Sequence, residues 1–233
     1  MSGLKINLGS GNKPLPGFVN VDALPDAPGV DVVADISERI PLDDGCAELV
    51  YASHLLEHFP HGRSLDVLRE WRRLLQPGGR LMIAVPNLDA IARILVERRG
   101  WFTPPNNPWV GVIYGGQKDE WDFHKAGFTP AWLAYLLTEA GFGSVHQVER
   151  FHDIAKGDMS HAPAPFGQNI SLNMIAVAGD RPLDTELLTP AGYEQFFFKV
   201  DRVFEHALNL STRLRSRLMA RRRKRLEKAI SAG

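Results

Sequence analysis

Cysteine is almost missing from this chain: Cys46 is the single one in 233 residues. One thiol excludes an internal disulfide framework and a cysteine-based zinc site, and it points to a reducing compartment, so a cytoplasmic location is expected. No apolar run reaches the roughly 20 residues of a membrane span. Met1-Ser2-Gly3-Leu4-Lys5 leads into the first apolar stretch without a signal-peptide pattern. Net charge is also lacking, with 27 basic and 27 acidic residues, but the balance is uneven. Arg213 to Lys228 holds nine Lys/Arg and one acid, Glu227, which leaves 18 basic and 26 acidic residues elsewhere, a net of −8. Such an acidic body repels phosphate and makes nucleic acid an unattractive partner. With 44% hydrophobic and 23% charged residues, the composition is that of a globular α/β domain with room for a sizeable core.

What is present is concentrated at the N-terminus. Ile6-Asn7-Leu8-Gly9-Ser10-Gly11-Asn12 and Phe18-Val19-Asn20-Val21-Asp22 each read as a short buried parallel strand. The first ends in a glycine pair, where the missing Cβ lets backbone approach a ligand closely. The second ends in a carboxylate, which can accept two hydrogen bonds from a vicinal diol such as a ribose. The third glycine of the dinucleotide fingerprint is lacking, and Asp22 comes too early for it, since that fingerprint has its acid about 20 residues on. A nicotinamide-dependent oxidoreductase is therefore disfavoured, and a cofactor with ribose but no pyrophosphate fits better.

The rest of the first half alternates strand and helix. Val30–Asp35 predicts a third strand, after which Asp35-Ile36 is placed to meet a bound nucleoside or, equally, to make a local turn or cap. Ala47–Ala52 predicts a fourth strand running into Ser53-His54-Leu55-Leu56-Glu57-His58. Ser64 is expected to cap a helix with Leu65, Leu68, Trp71, Leu74 and Leu75 at helical spacing. Gln76-Pro77-Gly78-Gly79 ends it and leads into a fifth strand, Arg80–Val85. Gln147–Phe151 and Ile170–Ala178 are read as the last two strands. This alternation implies a parallel sheet with helices on its faces.

Leu8-Gly9-Ser10-Gly11, Val21-Asp22, Asp35-Ile36, Leu55-Leu56-Glu57-His58 and Leu75-Gln76-Pro77-Gly78-Gly79-Arg80-Leu81 occur in an order that resembles class I S-adenosylmethionine-dependent methyltransferases. The likeness is greatest to the small bacterial type associated with polysaccharide biosynthesis, and it covers roughly residues 4 to 178. It implies a Rossmann-like sheet of seven strands, the last antiparallel, with helices on both faces. It implies S-adenosyl-L-methionine as cofactor, with Gly9, Ser10, Gly11 and Asn12 around its methionine part and Asp22 on the ribose hydroxyls. Asp35 and Ile36 would border the adenine, and Ser53 and His54 would lie near the methyl group. Asn7 stands where many relatives carry an acid, and the usual first helix after the glycine loop is missing.

Residues 86–129 are rich in proline, glycine and aromatics. A helix is expected over Asp89–Arg99, followed by Trp101, Trp109, Tyr114 and Trp121 in an irregular stretch. We read it as an acceptor-binding lid whose aromatic faces suit sugar rings; the alternative is that these rings pack on the sheet edge. Thr129-Pro130 opens a further helix over Trp132–Ala140, closed by Gly141. His124, just before it, resembles a position that faces the active site in many relatives, and it also suits a helix-capping role.

Methyl transfer to an alcohol needs a proton acceptor, and the histidines offered are His124, then His54 and His58. His54 and His58 have the i, i+4 spacing of zinc motifs, with His61 beyond, but no third ligand is evident, so no metal is assigned. His152, Asp153, Asp158 and His161 form a second polar group able to orient a sugar diol through a divalent ion. The domains expected are 1–180, holding the cofactor, and 181–233. In the latter, Tyr193 to Leu208 is amphipathic with an aromatic face and the Arg-rich end follows. That extension would serve a homodimer, a contact with anionic membrane, or solvation alone. The function expected is O-methylation of a saccharide or other small hydroxylated acceptor; the competing expectation is a catalytically inactive binding protein of the same fold.

Overall fold

The computed structural model of the chain describes residues 3–97, 108–151, 154 and 169–179. Seven strands form one sheet: β1 (Leu4–Leu8), β2 (Val19–Asp22), β3 (Val32–Val33), β4 (Ala47–Ser53), β5 (Leu75–Pro86), β6 (Phe142–Val148) and β7 (Ser171–Ala178). Their order is β3-β2-β1-β4-β5-β7-β6. Every neighbour pair from β3 to β5 is parallel, while β7 runs antiparallel to both β5 and β6. The helices are α1 (Ser64–Leu74), α2 (Leu88–Glu97), α3 (Pro108–Tyr114) and α4 (Pro130–Glu139). The expected α/β, Rossmann-like arrangement with one reversed strand is the one observed; the C-terminal extension lies outside the described residues.

Period-2 alternation sends Ile6, Leu8, Val21, Val50, Ala52, Leu81 and Ile83 into one core. Val67, Leu68, Trp71 and Leu74 of α1 and Leu133, Leu136 and Leu137 of α4 belong to the same cluster. Trp71 is wholly buried, and its indole N–H donates to the Ile36 carbonyl at 3.1 Å. The alternate residues Leu49, Tyr51, Met82, Ile175 and Val177 make a second cluster, on which Leu15 and Phe18 pack.

Between β1 and β2 there is no helix, as expected, and a side-chain network takes its place. Asn7 Nδ2 donates to Asn20 Oδ1 at 2.9 Å and to the Lys13 carbonyl at 3.3 Å. Asn20 Oδ1 also accepts from the Leu15 amide at 2.8 Å, and the Asn20 amide N–H donates to Asp31 Oδ2 at 2.8 Å. The short connection is thus fastened from within, and Phe18 and Leu15 are held against the sheet.

Four local expectations are corrected. Ser64 is not the cap of α1: a 3₁₀ turn, His61–Arg63, runs directly into the helix, Arg63 occupies the cap position, and no side chain bonds there. The third strand pairs only at Val32 and Val33, at the sheet edge. β5 starts at Leu75, because Ala47 pairs with Leu75 and Leu49 already with Arg80, so that Pro-Gly-Gly is a bulge within the strand. A Cβ on Gly79 would stand 2.9 Å from the Gln76 carbonyl and 3.0 Å from that of Ala47, which is why glycine is needed there. β6 begins at Phe142, directly after Gly141, five residues before the expected start.

Candidate functional site

The carboxyl ends of β1 and β4 are neighbours, because Leu8 pairs with Ala52. The residues that follow each strand therefore share one end of the sheet, where ligands of open α/β sheets bind. After β1, Gly9 has φ +62°, and a Cβ there would lie 2.6 Å from Leu55 Cδ1. The glycine loop is thus packed against the segment that carries the histidines. Gly11, at φ +49°, faces open space.

Asp22, 8% exposed at the end of β2, reaches back to this loop. Its Oδ2 accepts from the Gly11 amide at 2.7 Å, and its Oδ1 from the Leu24 amide at 2.9 Å. Each oxygen keeps a further lone pair, so a diol can still be bound. Ser10 Oγ is buried and without a partner, which suits a loop shaped to hold a polar ligand. Asn12 is exposed beside it. The loop, the orphaned hydroxyl and the anchored carboxylate fit a nucleoside cofactor lacking phosphate.

Asp35 is exposed, and its Oδ1 accepts from both the amide and the hydroxyl of Ser37, at 2.9 and 2.8 Å. The local turn anticipated as its alternative role is therefore present. Ile36 is 6% exposed and belongs to the main core.

The segment after β4 is built around Glu57, which is wholly buried in a 3₁₀ turn spanning Leu56–His58. Ser53 closes β4, and His54 follows with φ +48°, a left-handed conformation that is strained for a residue with a Cβ. His54 Nδ1 lies 3.2 Å from Glu57 Oε1, and its Nε2 lies 3.0 Å from Ser171 Oγ. A carboxylate only accepts, so in the neutral imidazole Nδ1 carries the proton and Nε2 accepts from Ser171. Glu57 Oε2 and His58 Nδ1 are both buried without a hydrogen-bond partner.

His124 comes to this point from the segment between α3 and α4. The Glu57 carbonyl accepts from the amides of Lys125 and Ala126 at 2.7 and 3.1 Å, and the His124 amide donates to the Tyr114 carbonyl at 3.0 Å. These bonds fix the His124 ring edge-to-face on that of His58, with centroids 4.9 Å apart. His124 Nδ1 is 3.1 Å from the Val112 carbonyl and must donate to it, which leaves Nε2 with its lone pair. Burial pushes the His124 imidazole below its usual pKa, with Glu57 opposing and His58 adding to the shift. The capping role weighed for His124 belongs instead to Thr129, whose Oγ1 accepts from the Trp132 amide at 3.2 Å.

A cavity of about 200 Å³ opens between His54, Pro86, Val112, His124 and Ile170. A second, of about 250 Å³, shares Pro86, Val112 and His124 and is walled by Leu88, Ile91, Ile113 and Tyr114. Tyr114, one of the expected acceptor-binding residues, lines this second cavity. Trp121 is half exposed and lines neither cavity. Trp101, the side chain of Trp109, and the group His152, Asp153, Asp158 and His161 lie outside the described residues, as does the whole of 181–233. Among the described residues no helix is long and apolar enough to cross a membrane.

Two participants were not singled out in the sequence. Glu57 was visible only as part of the Leu-Leu-Glu-His run, and Ser171 opens a strand on which nothing marked it. His61, the nearest histidine in sequence, is exposed and stands apart from the Glu57, His58 and His124 group.

A methyltransferase-domain family profile matches residues 19–83. No curated protein matches the chain. Among solved structures, a SAM-dependent methyltransferase from Methanosarcina mazei superposes with a TM-score of 0.51 at 16% identity, over 77% of this chain and 94% of that one. A Thermotoga maritima SAM-dependent methyltransferase, described as a possible histamine N-methyltransferase, has a TM-score of 0.49 at 14% identity, over 76% and 83%. The CurJ carbon methyltransferase has 0.47 at 14% identity, over 76% of this chain but only 49% of that one, so the chain spans about half its length. The profile match runs from β2, with Asp22, through the His54–His58 segment into β5, and the strand order agrees with it. The match over residues 19–83 and the fold that goes with it make the chain a methyltransferase with S-adenosylmethionine as its cofactor.

Proposed function

We propose that the domain transfers methyl to a hydroxyl of a saccharide or other small hydroxylated acceptor, and that an imidazole of the histidine group, His124 first, takes the proton. The observation that carries this reading is the packing of Gly9 against Leu55. It puts the cofactor loop and the histidines at one end of the sheet, next to the cavity lined by His54 and His124.

S-adenosylmethionine supplies a methyl carbon on a sulfonium, a good electrophile that needs no activation by the protein. What the chain must add is alignment and removal of the hydroxyl proton. His124 suits the second task, since Val112 holds its Nδ1 proton and its neutral ring keeps Nε2 free to accept. The largely apolar walls from Pro86 to Tyr114 suit the first, because they give an acceptor a concave surface to pack on. Tyr114, 56% exposed at the rim, offers a ring face to a sugar.

The test is a screen of sugars and small alcohols for methyl transfer from labelled cofactor, with cofactor affinity measured by calorimetry alongside. His124→Ala should lower kcat by about 10²–10⁴-fold and leave cofactor affinity unchanged. A chain that binds S-adenosylmethionine yet methylates only nitrogen or carbon acceptors would remove the hydroxyl reading.

A further inference from the structure

We propose that Glu57, His58 and His124 hold one divalent transition-metal ion of the zinc, cobalt or manganese class, and that the acceptor hydroxyl completes its coordination. The second half rests on the O-methyltransferase reading; the first does not.

One ligand atom from each of the three residues lies within 4.8 Å of the other two. Ligand atoms sit about 2.0–2.2 Å from a zinc ion, so tetrahedral ligands stand about 3.5 Å apart, and modest side-chain rotations would close the group onto one ion. Two imidazoles and a carboxylate form the mixed nitrogen–oxygen set that suits these metals and leaves positions open.

The orphaned atoms are an independent pointer. Glu57 is wholly buried, one of its oxygens is engaged by His54, and the other has no partner. His58 Nδ1, buried within the same cluster, has none either. A buried carboxylate oxygen and a buried ring nitrogen on adjacent residues, both left bare, are costly unless something binds them. A proton could bridge two such atoms, but a third ligand prepared from another element is more than a bridge needs.

That third ligand is His124, and the groups around the cluster are arranged as metal ligands usually are. Val112 accepts the His124 Nδ1 proton, which fixes the tautomer and directs the Nε2 lone pair away from it. His54 donates to Glu57 and is itself held by Ser171, so the carboxylate is oriented from behind. The Lys125 and Ala126 amides tie the His124 segment to the Glu57 backbone.

The cavity bordered by His54 and His124 would bring the acceptor to the open positions. A hydroxyl coordinated there becomes more acidic and gives its proton to solvent. Its oxygen then bonds to the methyl carbon as the carbon–sulfur bond breaks, and that electron pair stays on sulfur. The products are the methyl ether and S-adenosylhomocysteine. Under this arrangement His124 is a ligand in place of the base role proposed above, and the ion stabilises the alkoxide left when the proton departs.

The full-length chain, freed of metal with a chelator, is titrated with Co²⁺ and with Zn²⁺ by calorimetry, and with Co²⁺ by visible absorption. One equivalent should bind, with d–d bands of a nitrogen–oxygen site that Zn²⁺ then removes. Glu57→Gln and His124→Ala should each weaken binding at least tenfold, whereas His61→Ala, at an exposed histidine outside the group, should not. Because Glu57 is buried, His124→Ala serves as the arm least prone to misfold, and unchanged cofactor affinity certifies each variant as folded. Absence of stoichiometric binding, or binding indifferent to His124→Ala, overturns the site. Full turnover of a hydroxylated acceptor by chelated, metal-free chain overturns the role of the ion and leaves His124 as the base. Tight metal binding with no hydroxylated acceptor turned over keeps the site and removes the O-methyl reading.

Discussion

Asn7 shows how a single side chain can carry a different meaning in the fold from the one its position suggests. In sequence it is a departure, an amide where relatives place an acid near the cofactor. In the structure it is 3% exposed and committed to Asn20 and Lys13. The same amide pair explains why a ten-residue connection without a helix can hold two parallel strands together. Asn20→Ala should therefore leave Asn7 Nδ2 and the Leu15 amide without their partner and cost about 2–3 kcal/mol, measured as a lower urea midpoint at unchanged m-value. A loss below about 0.5 kcal/mol would mean that the connection is held by Leu15 and Phe18 packing alone. Asp22 and the Gly9–Gly11 loop were legible as a pair because left-handed backbone favours glycine and an acid at a strand end stands out in an apolar run. Glu57 was not, because its significance depends on His124, and nothing in a linear reading brings residue 124 to residue 57.

At the scale of elements, period and punctuation were good guides where the signal is local. Thr129-Pro130 opens α4 as read, with the threonine oxygen on the Trp132 amide. Ser64 carries the same kind of signal and fails, because the preceding 3₁₀ turn has already given Arg63 a helical conformation and left the hydroxyl no free amide to meet. The two serve as a matched pair. Thr129→Ala should cost about 1 kcal/mol, the usual loss of a cap bond. Ser64→Ala should be neutral or slightly stabilising, since it removes a buried hydroxyl without a partner and adds a better helix former. Equal losses at both positions, read by chemical denaturation, would contradict the capping geometry. The start of β6 and the bulge in β5 were missed for a related reason: strand limits are set by pairing across the sheet, which no single segment contains.

For the whole molecule, the order of the motifs mattered more than any one of them. Glycine loop, carboxylate, Glu-His run and Pro-Gly-Gly together carried the resemblance that implied a Rossmann-like sheet, and in the structure that sheet brings β1 and β4 side by side. That adjacency is what makes a site out of scattered residues, and it also couples cofactor binding to global stability. The cofactor's proposed contacts come from β1, β2 and the segment after β4, so a chain that unfolds loses all of them at once. At a cofactor concentration of 100 times Kd the linkage is worth about 2.7 kcal/mol. For a domain of this size that corresponds to a rise in Tm of about 5–10 °C. Trp71, buried in the main core, reports the transition by fluorescence. Cys46, the only thiol, gives a second probe by alkylation. Burial pushes its pKa up, so in the folded chain thiolate is scarce at neutral pH and labelling should quicken as pH rises above the usual thiol range. Both probes should move together on adding S-adenosylmethionine. Asp22→Ala should abolish the shift while retaining a cooperative transition, because it removes the carboxylate that holds Gly11 and is proposed to accept from the ribose hydroxyls. A full shift retained in Asp22→Ala would place the cofactor elsewhere and break the link between the glycine loop and the histidine cluster on which the catalytic reading depends.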